Sequence, residues 1–379
     1  MLLYVHVPFC VGKCRYCAFA SQAMDMDDVE AWGKALEAEA AHHSARLGRP
    51  EVETVYLGGG TPSLLPAWAF DRLMDGLERH FRIPPGVEFT LEANPDSATD
   101  TDLMRLWRDS GVNRVSLGAQ ALTDQELALL GRPHNAAQVH AAVERLRRAG
   151  FANLSLDLIW GLPGQRARQW RQTLVNALRL APEHISAYGL TLEPGTPLAR
   201  EAESGNLALP EEDEAARMYV HGGEFLEEQG LVHYEISNFA RMGYASRHNQ
   251  GYWEGADYLG LGPSAVSTMG MLRWENPRDV AGYVAMVRAR EFCRDAETLT
   301  RETRGRELLM LSLRTSRGMS LADYRLHAGR DLAKAEGKLL GAMYQKDLIR
   351  IRDGRLRLTR QGMLVSNQII GRLLFPADG

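Results

Sequence analysis

Three of the chain's four cysteines, Cys10, Cys14 and Cys17, fall within eight residues, in the run Tyr4-Val5-His6-Val7-Pro8-Phe9-Cys10-Val11-Gly12-Lys13-Cys14-Arg15-Tyr16-Cys17. Disulfides explain them poorly, because an odd number of close thiols leaves one over and nothing points to an oxidising compartment. Thiolates this close on one loop suit a metal centre, and two centres accept three sulfurs. Zinc takes three cysteines and a histidine, with His6 nearby in sequence. A [4Fe–4S] cluster on three thiolates keeps one iron free to bind something else. His6 lies inside the apolar run Leu2–Val7, which reads as a strand, so a core or supporting place suits it better than ligation. Cys293 stands alone and reads as a small buried hydrophobe.

The elements that must position this loop repeat along the chain. Short apolar runs are each followed by a loop bearing glycine, proline or charge, and then by a stretch of helical length. Leu2–Val7 leads to the cysteines and a helix at Met26–Arg46. Val55–Leu57 leads to Gly58-Gly59-Gly60-Thr61-Pro62-Ser63 and a helix at Pro66–Phe81. Glu88–Leu91 ends at Glu92-Ala93-Asn94-Pro95 before a helix at Thr101–Ser110. Arg114–Gly118 ends at Ala119-Gln120, with helices at Asp124–Leu130 and Ala136–Ala149. Leu154–Ile159 carries Asp157 and precedes a helix at Arg168–Leu180. Ile185–Leu192 ends at Glu193-Pro194-Gly195-Thr196, and the last helix is Glu211–Gln229. Six strand–loop–helix units predict an α/β fold with parallel βαβ connections, either a partial (β/α)6 barrel or an open doubly wound sheet. The unusual residues cluster at the C-terminal ends of the strands, where barrels build their sites, which favours the barrel.

Each of these residues has a plain reading and a chemical one. Gly58–Gly60 can be a tight turn, or a place where backbone approaches a ligand with no Cβ in the way; no Gly-Lys-Ser/Thr follows, so it is not a phosphate loop. Glu92 can cap a helix or serve as a fixed acceptor. Gln120 and Arg132 can be solvated loop groups. Asp157 is the least ordinary of them, since a carboxylate inside an apolar strand is costly without a partner.

From Leu231 to Ser267 the composition turns to His, Tyr, Trp, Asn and Gly, including Tyr234-Glu235-Ile236-Ser237-Asn238-Phe239 and His248-Asn249-Gln250-Gly251-Tyr252-Trp253. Aromatics with polar tips suit a site wall or a capping sheet. Beyond about residue 290 the chain is charged and helical. Helices at Thr300–Leu313, Leu321–Ala328 and Asp331–Gln345 precede a hairpin at Leu348–Arg352 and Leu356–Leu358 and a helix at Gln361–Leu374, the order of a winged-helix-like domain. The expected division is 1–230, 231–290 and 291–379.

At 379 residues and 45% hydrophobic, the chain can bury a large core. A net charge of −4 and a pI near 6.3 offer no basic field for nucleic acid. There is no run of eighteen apolar residues and no basic segment or cleavage site ahead of the first strand, so neither a membrane span nor a signal peptide is expected. With reduced cysteines, the expected location is the cytoplasm.

The spacing Cys-x3-Cys-x2-Cys resembles the signature of the radical S-adenosylmethionine (SAM) superfamily. The longer string Tyr-x-His-x-Pro-Phe-Cys-x3-Cys-x-Tyr-Cys resembles the branch holding oxygen-independent coproporphyrinogen III oxidases and HemW-type heme chaperones. The resemblance implies a (β/α)6 partial barrel and a [4Fe–4S] cluster on Cys10, Cys14 and Cys17, its open iron chelating SAM. It assigns SAM binding to Tyr4, Tyr16, Gly59, Gly60, Thr61, Glu92, Gln120, Arg132 and Asp157. It also implies chemistry in which one electron enters the SAM sulfonium, giving methionine and a 5′-deoxyadenosyl radical. Within the branch, the oxidases carry a further cysteine where Phe19 stands here and a long extension before the motif tyrosine, here Tyr4. The string His-Asn-x-x-Tyr-Trp is similar to that of the chaperones, which implies heme as a bound group with His248 as its ligand. On that resemblance heme passes to acceptor proteins, membrane-bound cytochromes among them, and a homodimer is compatible. Oxidative decarboxylation of coproporphyrinogen III is the alternative.

Overall fold

The computed structural model describes residues 1–375. Its centre is one twelve-stranded sheet. Six parallel strands come first in the chain: β1 (Leu2–Val7), β2 (Thr54–Gly59), β3 (Glu88–Ala93), β4 (Arg114–Gln120), β5 (Asn153–Trp160) and β6 (His184–Gly189). They lie side by side in sequence order. The main crossover helices are α1 (Met26–Leu47), α2 (Ala67–His80), α3 (Thr101–Asp109), α4 (Ala136–Arg148) and α5 (Ala167–Arg179), and α6 (Glu212–Glu228) follows the sixth strand. All six expected strand–helix units are therefore present.

Alternation along the strands decides where the core sits. Leu3, Val5, Val7, Val55, Leu57, Leu91, Val115, Leu117, Leu156, Leu158 and Ile185 are fully buried and belong to the large apolar cluster beneath the helices. Trp32 of α1, Trp107 of α3 and Trp170 of α5 pack into the same layer. The alternate positions carry Tyr4, His6, Tyr56, Glu92, Arg114, Ser116, Ser155, Asp157, His184 and Ser186. Tyr4 of β1 and Tyr188 of β6 both feel the Glu92 carboxylate of β3. Strands that far apart in a flat sheet would not share a neighbour, so the sheet is curled and its concave face is polar. This is a partial barrel, with its hydrophobic core outside the strands.

The 231–298 stretch does not form a separate capping sheet. It supplies β7 (Val232–Glu235) and β8 (Asn238–Ala240) beside β6, and β9 (Tyr258–Leu261), β10 (Val266–Met269), β11 (Leu272–Glu275) and β12 (Glu297–Thr298) beside β1. The strand β9 pairs parallel to β1, a seventh parallel strand absent from the sequence reading. Both edges of the six-stranded unit thereby gain partners for N–H and C=O groups that an open edge would leave unpaired. Between β8 and β9 lies a short helix, α7 (Arg247–Trp253).

Beyond β12 a second apolar cluster gathers Leu309, Leu313, Met319, Leu340, Ile349, Leu356, Ile369 and Leu373. Helix α8 (Arg301–Ser312), Leu321–Ala328 and Gly337–Gln345 precede the antiparallel hairpin Ile349–Arg352/Arg355–Leu358, the winged-helix-like order. Two helices expected as continuous are broken, at Glu336 and at Val365, whose φ near −110° and positive ψ interrupt the helical ladder. Among the described residues, no helix is long and apolar enough to cross a membrane.

Candidate metal and cofactor site

The cysteine loop leaves the C-terminal end of β1 and is clipped at its neck. Phe9 and Cys10 pair with Gln22 and Ala23, and Met24 N–H donates to the Cys10 carbonyl at 3.0 Å. His6 braces it from below. Its Nε2 lies 2.8 Å from the Ala20 carbonyl and its Nδ1 3.0 Å from the Tyr4 hydroxyl. The carbonyl can only accept, so the proton sits on Nε2 and Tyr4 donates to Nδ1. With both nitrogens engaged, His6 is a strut and not a fourth ligand.

All three cysteines are reduced and half-buried. Two sulfurs receive donors. Arg132 Nη1 reaches Cys14 Sγ at 3.3 Å, and Thr61 Oγ1 reaches Cys10 Sγ at 3.6 Å. Among the described residues, no three His, Cys, Asp or Glu side chains are set to hold a single ion. A zinc site of three cysteines would need a fourth ligand, and His6, the nearby histidine, has both nitrogens engaged, whereas a cluster takes three thiolates on separate irons and leaves one open. The donor set therefore fits the cluster better than zinc.

Asn94, which the sequence reading passed over, joins the two donors. Its Nδ2 donates to Thr61 Oγ1 at 3.0 Å, and its Oδ1 accepts from Arg132 Nη2 at 2.6 Å. Arg132 also donates to the Gly118 carbonyl at 3.1 Å, which makes it a clamp between loop and barrel rather than a solvated charge. Gln120 ends β4 with φ of +63°, a left-handed conformation rare for a non-glycine residue and often found at sites. A Cβ on Gly118 would stand 2.7 Å from Asn94 Oδ1 and 3.0 Å from Gln120 Nε2, so these polar tips meet over a glycine. Tyr16 packs on Leu127, Leu130 and Ile159 with its hydroxyl near Arg132.

The glycine triplet is a close approach. A Cβ on Gly60 would stand 2.6 Å from the Phe9 carbonyl, and one on Gly59 2.5 Å from the His6 ring. Gly59 also has φ of +112°. Beside it, Glu92 accepts from Tyr56 Oη at 2.7 Å and from Gly59 N–H at 3.1 Å. Burial, with Asp157 adding repulsion, pushes its carboxyl up to about 7 against the opposing hydrogen bonds. Asp157 accepts from Ser116 Oγ at 3.0 Å and Ser155 Oγ at 3.3 Å; burial raises it too, and Ser186, Ser116 and Arg114 oppose the rise. Tyr4, His6, Gly59 and Glu92 border a cavity of about 620 Å³. Its far wall is Tyr252, Tyr258, Arg273 and Arg278, with Arg304, Glu307 and Met310 of α8.

His248 is not brought to this cavity. It lies behind the cavity wall at the N-terminal ends of the strands, 1% exposed, its ring 4.8 Å from that of Tyr252 and its Nδ1 2.7 Å from Thr54 Oγ1 at the start of β2. Its N–H donates to Glu88 Oε1, at the start of β3, at 2.9 Å, and its ring lies 5.0 Å from Tyr56. Nε2 is buried without a partner, and burial pushes the imidazole down to about 3. In this arrangement His248 is a plug in the barrel floor with no nitrogen open to a ligand. A histidine in a His-Asn-x-x-Tyr-Trp string looks the same in sequence whether it faces solvent or strands. Cys293 is half-buried against the large core, as a small hydrophobe would be.

Comparison with known proteins gives the fold and the family. The Radical SAM superfamily model matches residues 4–175 and the HemN C-terminal domain model residues 299–365. The solved structure of Escherichia coli coproporphyrinogen III oxidase superposes with a TM-score of 0.84 over 98% of this chain and 89% of that one. At 24% identity that likeness concerns the fold. These matches describe a radical SAM domain over residues 4–175, followed by a HemN-type C-terminal domain over residues 299–365. Bacillus subtilis heme chaperone HemW is 35% identical over 98% of both chains, and the Mycobacterium tuberculosis protein of the same name is 35% identical over 98% of this chain and 94% of its own. The chain belongs to the HemW heme chaperone family.

Proposed function

We propose that this protein holds a [4Fe–4S] cluster and SAM, binds heme, and passes it to acceptor proteins. Similarity over the whole chain to proteins named heme chaperones carries this reading. Cys10, Cys14 and Cys17 hold the cluster, with Arg132 and Thr61 donating to two of the sulfurs. When bound, such a cluster would supply one electron and an open iron, at a potential set by charge, hydrogen bonds to the sulfurs and exposure. The backbone carbonyls at Gly59 and Gly60, the Thr61 hydroxyl, Glu92, Gln120 and Asp157 supply acceptors and donors for the amino-acid and ribose ends of SAM. Tyr4 and Tyr16 wall the pocket. The curled strands and α8 wall the cavity.

Respiratory cytochromes are the proposed acceptors, reached from the cytoplasm, and a homodimer is compatible with that traffic. Anaerobic heme titration of the reconstituted protein, followed by absorption, tests the reading beside His248→Ala and Cys10/Cys14/Cys17→Ala. About one heme bound, without protoporphyrinogen formed from coproporphyrinogen III, SAM and reductant, is the expected result. Turnover of coproporphyrinogen III without heme binding would overturn it. A changed heme spectrum in His248→Ala would mean that α7 leaves the floor to ligate heme, and an unchanged one that another residue does.

A further inference from the structure

Asp157 is the end of a hydrogen-bonded path that leaves the site and crosses the barrel. Ser155 Oγ lies 3.3 Å from Asp157 Oδ1 and 2.8 Å from His184 Nδ1. His184 Nε2 lies 2.8 Å from the Tyr234 hydroxyl, which accepts the Ser246 N–H at 3.4 Å. Ser246 caps the N-terminus of α7, the helix of His248, and donates through Oγ to Glu88. Ser155, His184 and Ser246 have no exposed surface.

The ends of the path settle its direction. Ser116, Ser155 and Ser186 all serve Asp157 as hydroxyl donors, the surroundings of a carboxylate that only accepts. With its proton given to Asp157, the Ser155 oxygen accepts from His184 Nδ1–H. Nε2 then carries the lone pair and takes the Tyr234 proton, and the Tyr234 oxygen takes the Ser246 N–H. From the Ser246 N–H inward, every donor points toward Asp157. Burial holds His184 well below the usual range, so it stays neutral with one proton, as such a path needs.

We propose that His184 and Tyr234 are positioning residues for SAM binding, which act through Ser155 to keep the Asp157 carboxylate ionised and aimed, and which tie it to the helix carrying His248. This rests on the reading that Asp157 accepts from SAM. It gives the Tyr234-Glu235-Ile236-Ser237-Asn238 string a task inside the barrel, and it means that displacing α7 also loosens Asp157.

The charged and titratable groups facing Asp157 are Arg114 of β4, Glu92 of β3, Tyr56 of β2 and Tyr188 of β6. Of these, Glu92 titrates near neutrality. The informative quantity is therefore the ratio of variant to wild-type SAM affinity at each pH, in which the part of the Glu92 titration common to both proteins cancels. Calorimetry on cluster-loaded, anaerobic protein between pH 6 and 9 would compare Tyr234→Phe, His184→Ala and His184→Gln with Tyr283→Phe, a buried hydroxyl bound to Glu39 outside the barrel. Tyr234→Phe and His184→Ala should weaken SAM about fivefold at the acid end, the value of about one neutral hydrogen bond, with the loss shrinking toward pH 9. His184→Gln can donate to Ser155 and accept from Tyr234, and should recover most of the affinity. Tyr283→Phe should match wild type. A pH-independent loss, equal loss in His184→Gln and His184→Ala, or wild-type affinity in folded Tyr234→Phe would overturn the proposal. Failure of wild type itself to bind SAM at any pH would instead remove the reading beneath it.

Discussion

The two faces of the six parallel strands follow opposite rules. Outward, Leu3, Val5, Leu57, Leu91, Leu117 and Leu156 meet Trp32, Trp107 and Trp170 in a largely apolar layer, where the Trp32 indole donates to the His6 carbonyl at 3.2 Å and the Trp107 indole N–H is buried without a partner. Inward, Tyr56, Glu92, Arg114, Ser116, Asp157 and His184 share a buried space whose groups must all find partners. Most do, as with Glu92 on Tyr56 and Gly59 and Asp157 on its serines. Thr90 Oγ1, Arg114 Nε and His248 Nε2 do not. A barrel interior is ordinarily filled with branched apolar side chains. Here stability resides outside the strands, and the interior is spent on positioning polar groups at some cost.

That contrast can be broken in order of size. Replacing Cys10, Cys14 and Cys17 by Ala should abolish bound iron and acid-labile sulfide entirely while leaving the far-ultraviolet circular dichroism of the barrel intact. Unfolding together with iron loss would mean that the cluster is part of the core. An outward change, Leu156→Ala, should cost about 2–5 kcal/mol in denaturant unfolding, yet leave SAM affinity of the folded protein within about twofold.

An inward change should do the reverse. Folding raises Glu92 to about 7 from its ordinary value of 4.5, so its ionisation opposes the fold. The stabilisation from keeping it protonated is complete below about pH 4.5 and is lost as pH rises toward 7. Glu92→Gln should therefore raise stability at pH 8 by up to about 3 kcal/mol, have little effect near pH 4.5, and abolish SAM binding. Denaturant titrations at the two pH values check this, and equal effects at both would sink it. Smallest is Gly60→Ala, where the new methyl meets the Phe9 carbonyl. It should cost about 1–3 kcal/mol and lower the iron content of reconstituted protein. Full loading would show that the cysteine loop can give way.

Local patterns made much of this legible. The spacing of Cys10, Cys14 and Cys17, the glycine triplet and the six apolar runs can be read from neighbouring residues, because strand alternation and loop chemistry have short periods. Glu92 and Asp157 stood out as carboxylates at or near strand ends. Strand β9 escaped notice because Tyr258–Leu261 is short and lacks the helix that marked the other units. Asn94 escaped because an asparagine before a proline reads as a turn, and its two partners lie 33 and 38 residues away.

By itself, then, the chain determined which thiolates stand together, which strands form and which of their faces is apolar. The tertiary structure decided which polar side chains meet. His248 belongs to the barrel floor and Arg132 to Cys14 only because the sheet curls and its strands take one register. Contacts across 118 or 194 residues depend on that curvature and leave no period in the sequence. The same alternation could have served a flat, doubly wound sheet, and in that sheet Tyr4, Glu92 and Tyr188 would never have faced one another.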